Sequence, residues 1–598
     1  MFVILLLVFG TLQIFGDAHK IKSPWHYECS AGLCEKAAIS SNVSTPLSLE
    51  VCQMFCGEAG AIWPKPTGHL SLGNFVVHLD PEAIKISGLN STSKVSTLLS
   101  RSVNLLKSNV QRLGGGVANN KNGKALWVHF SGSLVKDLSM PLDISENYTL
   151  EVRQLDDGTV NATIVAESYF GARHGLETLS QLIVFDDLRS QVQIARDVNI
   201  VDGPVYPYRG ITLDTSRNFI DKAAILRTIR GMAMSKLNTF HWHITDSHSF
   251  PYESKSLPNM SHYGSYTPQK VYTSKDVKEI VDYGLLHGVR VVPELDAPAH
   301  VGEGWQWIDN ALLCFKAQPW MNYCVEPPCG QLNVSNEKVY EILETIYKDL
   351  IHDFKPALFH MGGDEVSTKC WNSVESFKQW MATKGWNTTG DSGFIKAWEY
   401  FQTKAYDALT RANNGKTLPS ILWTSGLTDE NNIDYLDPNK YIIQIWTESS
   451  DKSIARLIKK KFKVIFSNYD AVYLDCGFGA WVTSGNNWCS PYKGWQLLYD
   501  NSPLNIIIKQ GFSTADKQYI LGGSAALWTE QADTSSLDGR LWPRAAAYAE
   551  RLWAEPSSSW IHAEQRMLRH RQRLVQKGIQ ADQLEPEWCS QNQGACPL

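Results

Sequence analysis

The stretch FHMGGDEV, residues 359–366, places Asp364 and Glu365 side by side after a double glycine and a short apolar run. Paired carboxylates are what hydrolysis of a glycosidic bond usually needs. In the common scheme they flank that bond, about 5–5.5 Å apart for retention and about 6.5–9.5 Å apart for inversion. Neighbours leaving one strand do not readily take opposite faces of a sugar ring. Gly362 and Gly363 let backbone and ligand come close, so both acids can face one substrate. One then protonates the leaving oxygen, and the other attends to a different group. A 2-acetamido substituent fits that second role. Its carbonyl oxygen can attack the anomeric carbon while a carboxylate holds its N–H and the positive charge that develops. Two acids in contact also push their proton affinities apart, leaving one protonated near neutral pH. The competing assignment has Asp364 capping a following helix and Glu365 acting alone.

A second constellation is HWHITD, residues 241–246. An H-x-H on a strand points both imidazoles to one face and can hold zinc. With His300 and His360 on neighbouring runs, a metal-dependent barrel hydrolase is a rival. Such an enzyme would want the motif on its first strand, and here it falls on the second. The other reading is a set of histidines hydrogen-bonded inside a barrel mouth. The chain also holds 21 tryptophans. Trp423, Trp446, Trp488 and Trp528 fall at strand ends or just beyond, where flat apolar walls with polar edges suit sugar rings. Asp475, Glu530 and Arg209 would supply charged hydrogen bonds to hydroxyl groups.

These residues need a scaffold that gathers strand ends. Short β-rich runs recur at YRGITLDTSR, LNTFHWHITD, VRVVPELD, PALFHMGGDEV, LPSILWTS, KYIIQIWTE, FKVIFSNYDAVYLD and QYILGGSAALWTE, with helical periodicity between most of them. In SKDVKEIVDYGLLHG, Val277, Ile280, Val281 and Leu285 share a face, Ser274 can cap the start of the helix and Gly288 its end. Eight strands alternating with helices predict an α/β fold, a (β/α)8 TIM barrel, over residues 206–598, and such barrels build their active sites at the C-terminal rim. Asp246, Asp296, Asp364 with Glu365, Trp423, Trp446, Asp475, and Trp528 with Glu530 all close their runs. Arg209 alone opens one. The link GLTDENNIDYLDPN between the fifth and sixth runs is too short and polar for a full helix. Residues 19–205 predict a smaller α+β domain, begun by a knot of Cys29, Cys34, Cys52 and Cys56, and DGPVYPYRG (202–210) reads as a linker.

Composition narrows the classes further. A chain of 598 residues, 43% hydrophobic, can bury a large core, and a formal net charge of −5 argues against a nucleic-acid partner. The basic runs LIKKKFK (457–463) and RMLRHRQRL (566–574) read as exposed helix faces. Residues 1–18 resemble a signal peptide, though without the usual Lys or Arg, and no later segment is long and apolar enough to span a membrane. The twelve cysteines agree with export. Cys324/Cys329, Cys476/Cys489 and Cys589/Cys596 could each close a small loop, and Cys314 and Cys370 complete the disulfide candidates, with connectivity left open. Sequons stand at Asn42, Asn90, Asn147, Asn161, Asn259, Asn333 and Asn387.

RGITLDTSRNF, KLNTFHWHITD, VRVVPELDAPAH, LFHMGGDEV, ILWTS, IIQIWT and LWTEQAD, in this order, resemble the family 20 β-N-acetylhexosaminidases. AESYFGARHGLETLSQL looks like that family's accessory domain, so the resemblance covers nearly the whole mature chain. It implies Glu365 as general acid/base, Asp364 as the carboxylate that orients the acetamido group, and Tyr473 as the hydroxyl on its carbonyl oxygen. Trp423, Trp446 and Trp528 would box the acetamido methyl and the ring. Arg209 would hold the 3- and 4-hydroxyls, Asp475 and Glu530 the 4- and 6-hydroxyls, and His300 would support the acid. The chain departs from the pattern at Ser524 in GGSAALW, where family members often carry an acid. CVEPPCGQ (324–331) and WVTSGNNWC (481–489) look most like the insect chitin-degrading branch, in which Val325, Glu326 and Trp488 would receive the next sugar. An ordinary disulfide-clipped loop is the plainer reading of the first.

The resemblance implies a secreted, exo-acting enzyme that removes terminal GlcNAc from chitooligosaccharides with retention, as a homodimer, with no metal or organic cofactor. Two alternatives stay open. One is an N-glycan-trimming or lysosomal hexosaminidase of the same family, and the other is a sugar-binding protein on an inactive hydrolase scaffold. An endo-chitinase of the other substrate-assisted family is disfavoured, because no D-x-x-D-x-D-x-E stretch is present.

Overall fold

In a computed structural model the described residues are 23–40, 43–89, 93–116 and 122–596. The signal-like segment 1–18 and the sequons at Asn42 and Asn90 lie outside them.

Eight parallel strands close into a barrel in chain order: β1 Tyr208–Asp214, β2 Thr239–His243, β3 Arg290–Glu294, β4 Phe359–His360, β5 Ser420–Trp423, β6 Tyr441–Ile445, β7 Lys463–Phe466 and β8 Ile520–Leu527. Runs such as YIIQI are buried throughout, as strands covered on both faces must be. The register sets His243 opposite both Asp214 and Glu294, and Glu294 opposite His360. One polar layer thus crosses the barrel just under its C-terminal rim. Below it, Ser524 Oγ and Thr212 Oγ1 lie 2.9 Å apart. Ser524 therefore serves the barrel interior, remote from the rim.

Between β5 and β6 the crossover has only two 3-10 turns, Gly426–Thr428 and Ile433–Tyr435, as that polar link predicts. The helix Ser274–His287 starts one residue earlier than expected. Thr273 is its N-cap, in a capping box with Asp276, and Gly288 ends it at φ 71°.

The smaller domain is a six-stranded sheet carrying the helices Lys94–Gln111 and Tyr169–Gln181. The hairpin Trp25–Ser30/Leu33–Ala38 precedes it, cross-linked by Cys29–Cys56 and Cys34–Cys52. The other cysteines pair as Cys314–Cys370, Cys324–Cys329, Cys476–Cys489 and Cys589–Cys596.

Three expectations change here. RMLRHRQRL is no exposed face: Arg566, Arg569 and Arg573 are buried, held by Glu550, Glu50 and the Ala61 carbonyl respectively. That helix, Glu564–Gln576, joins the two domains. DGPVYPYRG is no free linker, because Val205 N–H donates to the Trp553 carbonyl at 2.7 Å and Tyr206 is buried. Asn333 is also buried, with its Nδ2 donating to the Asn310 carbonyl at 3.1 Å. A glycan there would expose a satisfied interior amide. Asn147, Asn259 and Asn387 are exposed and Asn161 is partly so.

Candidate active site

The barrel rim opens into a pocket of about 430 Å3 lined by Asp364, Glu365, Tyr473, Trp446, Trp528 and Glu530, among others. β4 is two residues long, and the chain after it turns sharply. Gly362 and Gly363 have φ 63° and 86°, and a Cβ at Gly362 would lie 1.8 Å from Asp296 Oδ1. Only glycine fits. Glu365 itself sits at φ 52°, a left-handed conformation uncommon for a side-chain-bearing residue. The turn is what lets adjacent acids share one pocket. The first helix beyond it, Thr368–Ser373, is capped by Ser367, so capping does not occupy Asp364.

Behind each acid stands a supporting group. His300 Nε2 lies 3.1 Å from Glu365 Oε2, and His300 Nδ1 lies 3.4 Å from Asp246 Oδ2. Burial disfavours the charged imidazole, but Asp246 and Glu365 outweigh it and hold His300 protonated well above the usual range. Burial, with Glu365 adding to it against His300, pushes the Asp364 carboxyl up to about 6. Asp296, buried and pressed by Asp364, is raised well above the usual carboxyl range, and its Oδ1 accepts from Gly363 N–H at 2.9 Å. Burial and the neighbouring Asp364 thus favour the protonated form of Asp296.

Walls complete the pocket. Tyr473 is buried, with Trp528 at 6.2 Å between ring centroids and Trp488 at 6.2 Å on another side. Trp446 and Trp488 meet edge to face at 6.3 Å, and Trp488 remains 64% exposed. The Cys476–Cys489 disulfide ties the Trp488 loop to Asp475. Burial pushes Asp475 up to about 7 and raises Glu530 well above the usual carboxyl range, with Glu326 adding to it there. Val325 and Glu326 line the same pocket from the loop closed by Cys324–Cys329.

Two expected site residues lie elsewhere. Arg209 is fully buried near the N-terminal end of β1, where it meets Glu146 of the smaller domain and donates to the Tyr206 and Lys236 carbonyls. It joins domains and cannot reach a sugar. The arginine at the rim is Arg217, eight residues on in the same motif, with its guanidinium 5.2 Å from the Trp528 ring. The rim rule carried the signal, since Arg209 opens its strand and Arg217 follows the strand's end. Trp423 lies deeper than a pocket wall, donating to Glu294 Oε1 at 2.7 Å beneath Trp528. Sequence reasoning also missed Trp481, which lines the pocket from the 481–489 loop.

The H-x-H histidines turn inward. His241 is shared between Thr212 and Glu294, at 2.9 and 2.7 Å, and His243 between Glu294 and Asp246, at 2.8 and 2.9 Å. His360 Nδ1 lies 3.2 Å from Glu294 as well. All four ring nitrogens of the H-x-H pair are engaged in fixing the polar layer under the acids.

A (β/α)8 barrel presenting adjacent carboxylates, a buried phenol and tryptophan walls at its C-terminal rim defines a glycoside hydrolase. The glycosyl hydrolase family 20 catalytic domain matches residues 206–556, and a "beta-acetyl hexosaminidase like" domain matches residues 62–182. The chain belongs to glycosyl hydrolase family 20. It is 51% identical to the chitooligosaccharidolytic β-N-acetylglucosaminidase of Ostrinia furnacalis over 595 residues, 99% of this chain and 98% of that one. Its counterpart from Bombyx mori is 51% identical over 579 residues, 96% and 95% of the two chains. Among solved structures, the Flavobacterium johnsoniae chitobiase superposes with a TM-score of 0.67 at 25% identity, covering 87% of this chain and 73% of that one.

Proposed function

We propose that this family 20 enzyme is a secreted, exo-acting β-N-acetylhexosaminidase that removes terminal GlcNAc from chitooligosaccharides through the substrate's own acetamido group. The observation that carries the reading is that Asp364 and Glu365 enter one pocket as neighbours from a single turn, with Tyr473 lining the same pocket. Glu365 protonates the leaving oxygen. The acetamido carbonyl oxygen, held by Tyr473, attacks C1 as that bond breaks. Asp364, seated beside Asp296, accepts the acetamido N–H and balances the charge of the oxazolinium. Glu365 then takes a proton from water as the water opens the ring, and configuration is retained.

Exposed Trp488, with Val325 and Glu326 beside it, supports a β-1,4-linked GlcNAc as the second sugar. The insect relatives named above support the same preference. Six disulfides support an oxidising, extracellular setting. No helix among the described residues is long and apolar enough to cross a membrane. A homodimer is expected, and analytical ultracentrifugation decides it.

The deciding experiment compares cleavage of chitobiose with cleavage of a GlcNAc-terminated N-glycan. Preference for chitobiose is the expected result, and preference for the N-glycan would assign the enzyme to glycan trimming. Glu365→Gln should lower kcat by about 10²–10⁴-fold with substrate binding retained. Near-normal turnover by that variant would remove Glu365 from its role.

A further inference from the structure

Glu365 borders more than the substrate pocket. On the far side of Trp446 lies a second cleft of about 590 Å3, lined in part by Glu365, Thr424, Asp429, Thr447, Ser453 and Trp398. It occupies the gap in the helical ring where β5 and β6 are joined by 3-10 turns only. Trp446 is the partition between the two spaces, lining both and held in place by its Nε1–H donating to the Thr424 carbonyl at 2.7 Å.

Most of the residues that line this cleft are polar, and several of their polar atoms lack a protein partner. Trp398 Nε1, Ser453 Oγ, Thr447 Oγ1 and Arg456 Nε are all buried at the atom level and make no hydrogen bond to another described residue. Trp398 and Ser453 are themselves 3% and 6% exposed. Buried polar atoms are satisfied in folded proteins, and where protein does not supply the partner, water does, provided the space is polar and roomy. These four atoms are sealed from the cleft, whereas the cleft beside them is itself roomy and lined by polar residues, and so can hold water.

The chemistry gives such a hydrated cleft a use. In the second half-reaction, water attacks C1 on the face from which the leaving sugar departed. That face belongs to Glu365 and to the site formed by Trp446, Trp488, Val325 and Glu326. While a sugar occupies this site, its ring blocks approach from the pocket mouth. We propose that the cleft behind Trp446 delivers the hydrolytic water to Glu365 while a sugar still occupies the neighbouring site. The water oxygen bonds to C1, one of its protons passes to the Glu365 carboxylate, and the bond from C1 to the acetamido oxygen breaks, restoring the acetamido group. The inference rests on the substrate-assisted reading above and adds to it the path of the water.

It also sets the balance between two fates of the intermediate. An acceptor sugar in the neighbouring site competes with water from the cleft, giving transfer or hydrolysis. Filling the cleft at a distance from Glu365 should favour transfer. Ser453→Leu does this from the helix Lys452–Lys459, and Thr447→Leu does it from the segment after β6. With a 4-nitrophenyl GlcNAc donor and chitobiose as acceptor, the transfer-to-hydrolysis ratio should rise about threefold or more in either variant. The donor's kcat/KM, which reports formation of the intermediate, should stay within about twofold. Thr447→Val, which removes the hydroxyl without adding bulk, should shift the ratio less. If Ser453→Leu fails to fold, Thr447→Leu carries the test alone. A ratio unchanged in the folded variants, or a kcat/KM that falls in step with hydrolysis, would overturn the water path. An inactive wild-type enzyme would instead strike the proposed activity itself.

Discussion

Arg217 Nη2 lies 2.7 Å from Glu326 Oε1, and its Nη1 lies 2.7 Å from Asp246 Oδ2. One guanidinium therefore links the loop expected to hold the second sugar to the acid that backs His300. Taking one member from a buried pair costs about 3–5 kcal/mol, because the remaining charge is stranded. Arg217→Ala should accordingly lower kcat/KM on chitobiose by about 10²-fold or more. Arg209→Ala strands Glu146 at the opposite end of the barrel. Its expected signature is a lower melting temperature with KM unchanged in the folded fraction. Steady-state kinetics and thermal unfolding on the two variants separate the roles.

That contrast shows how far the residues could be read from the sequence. The barrel was legible because buried parallel strands give long β-branched runs, and the rim was legible because polar residues ended those runs. Asp364 and Glu365 follow from that pattern and from the family motif, whereas Tyr473 comes from the family resemblance alone. Arg209 was misassigned because family motif and strand position pointed to different arginines, and strand position was the physical guide. The basic run 566–574 was misread for a related reason: two of its partners, Glu50 and the Ala61 carbonyl, lie far away in sequence. Asn333 shows the same limit, since a sequon states what an enzyme can recognise and says nothing of burial. Trp423 and Trp528 both end strands, and only the three-dimensional layering sets one beneath the other.

The pH dependence follows from Asp364. In the proposed mechanism its carboxyl is ionised to accept the acetamido N–H, and burial pushes its titration up to about 6. Activity should therefore rise with pH through about 6 as the carboxylate forms. A plot of kcat/KM against pH should show this acidic limb in the wild type, and Asp364→Asn should lose it along with most activity. Stability runs the other way. A raised carboxyl is favoured in its protonated form by the fold, so the stabilisation is present at low pH and is lost as pH rises through 6. Relative to wild type, Asp364→Asn should melt higher at neutral pH than at about pH 4, the unfolded carboxyl value. Melting curves at the two pH values test the sign.

Trp488 is 64% exposed and packs against Tyr469 at 4.8 Å between ring centroids. An exposed ring of this kind contributes through stacking on a partner, at about 0.5–1.5 kcal/mol beyond the area it buries. Trp488→Ala should lower kcat/KM for chitobiose by about tenfold. It should affect a donor whose leaving group is not a sugar far less. Equal losses on both donors would place Trp488 in the support of the first site.

The central claim is that the nucleophile arrives with the substrate. 4-Nitrophenyl glycosides bearing N-acetyl, N-fluoroacetyl, N-difluoroacetyl and N-trifluoroacetyl groups weaken the carbonyl oxygen in steps while leaving the sugar otherwise alike. If that oxygen attacks C1, log kcat/KM should fall steeply and monotonically along the series, by several orders of magnitude overall. A flat series, with the trifluoroacetyl compound cleaved about as fast as the acetyl one, would mean that a protein group attacks and that Asp364 has another purpose.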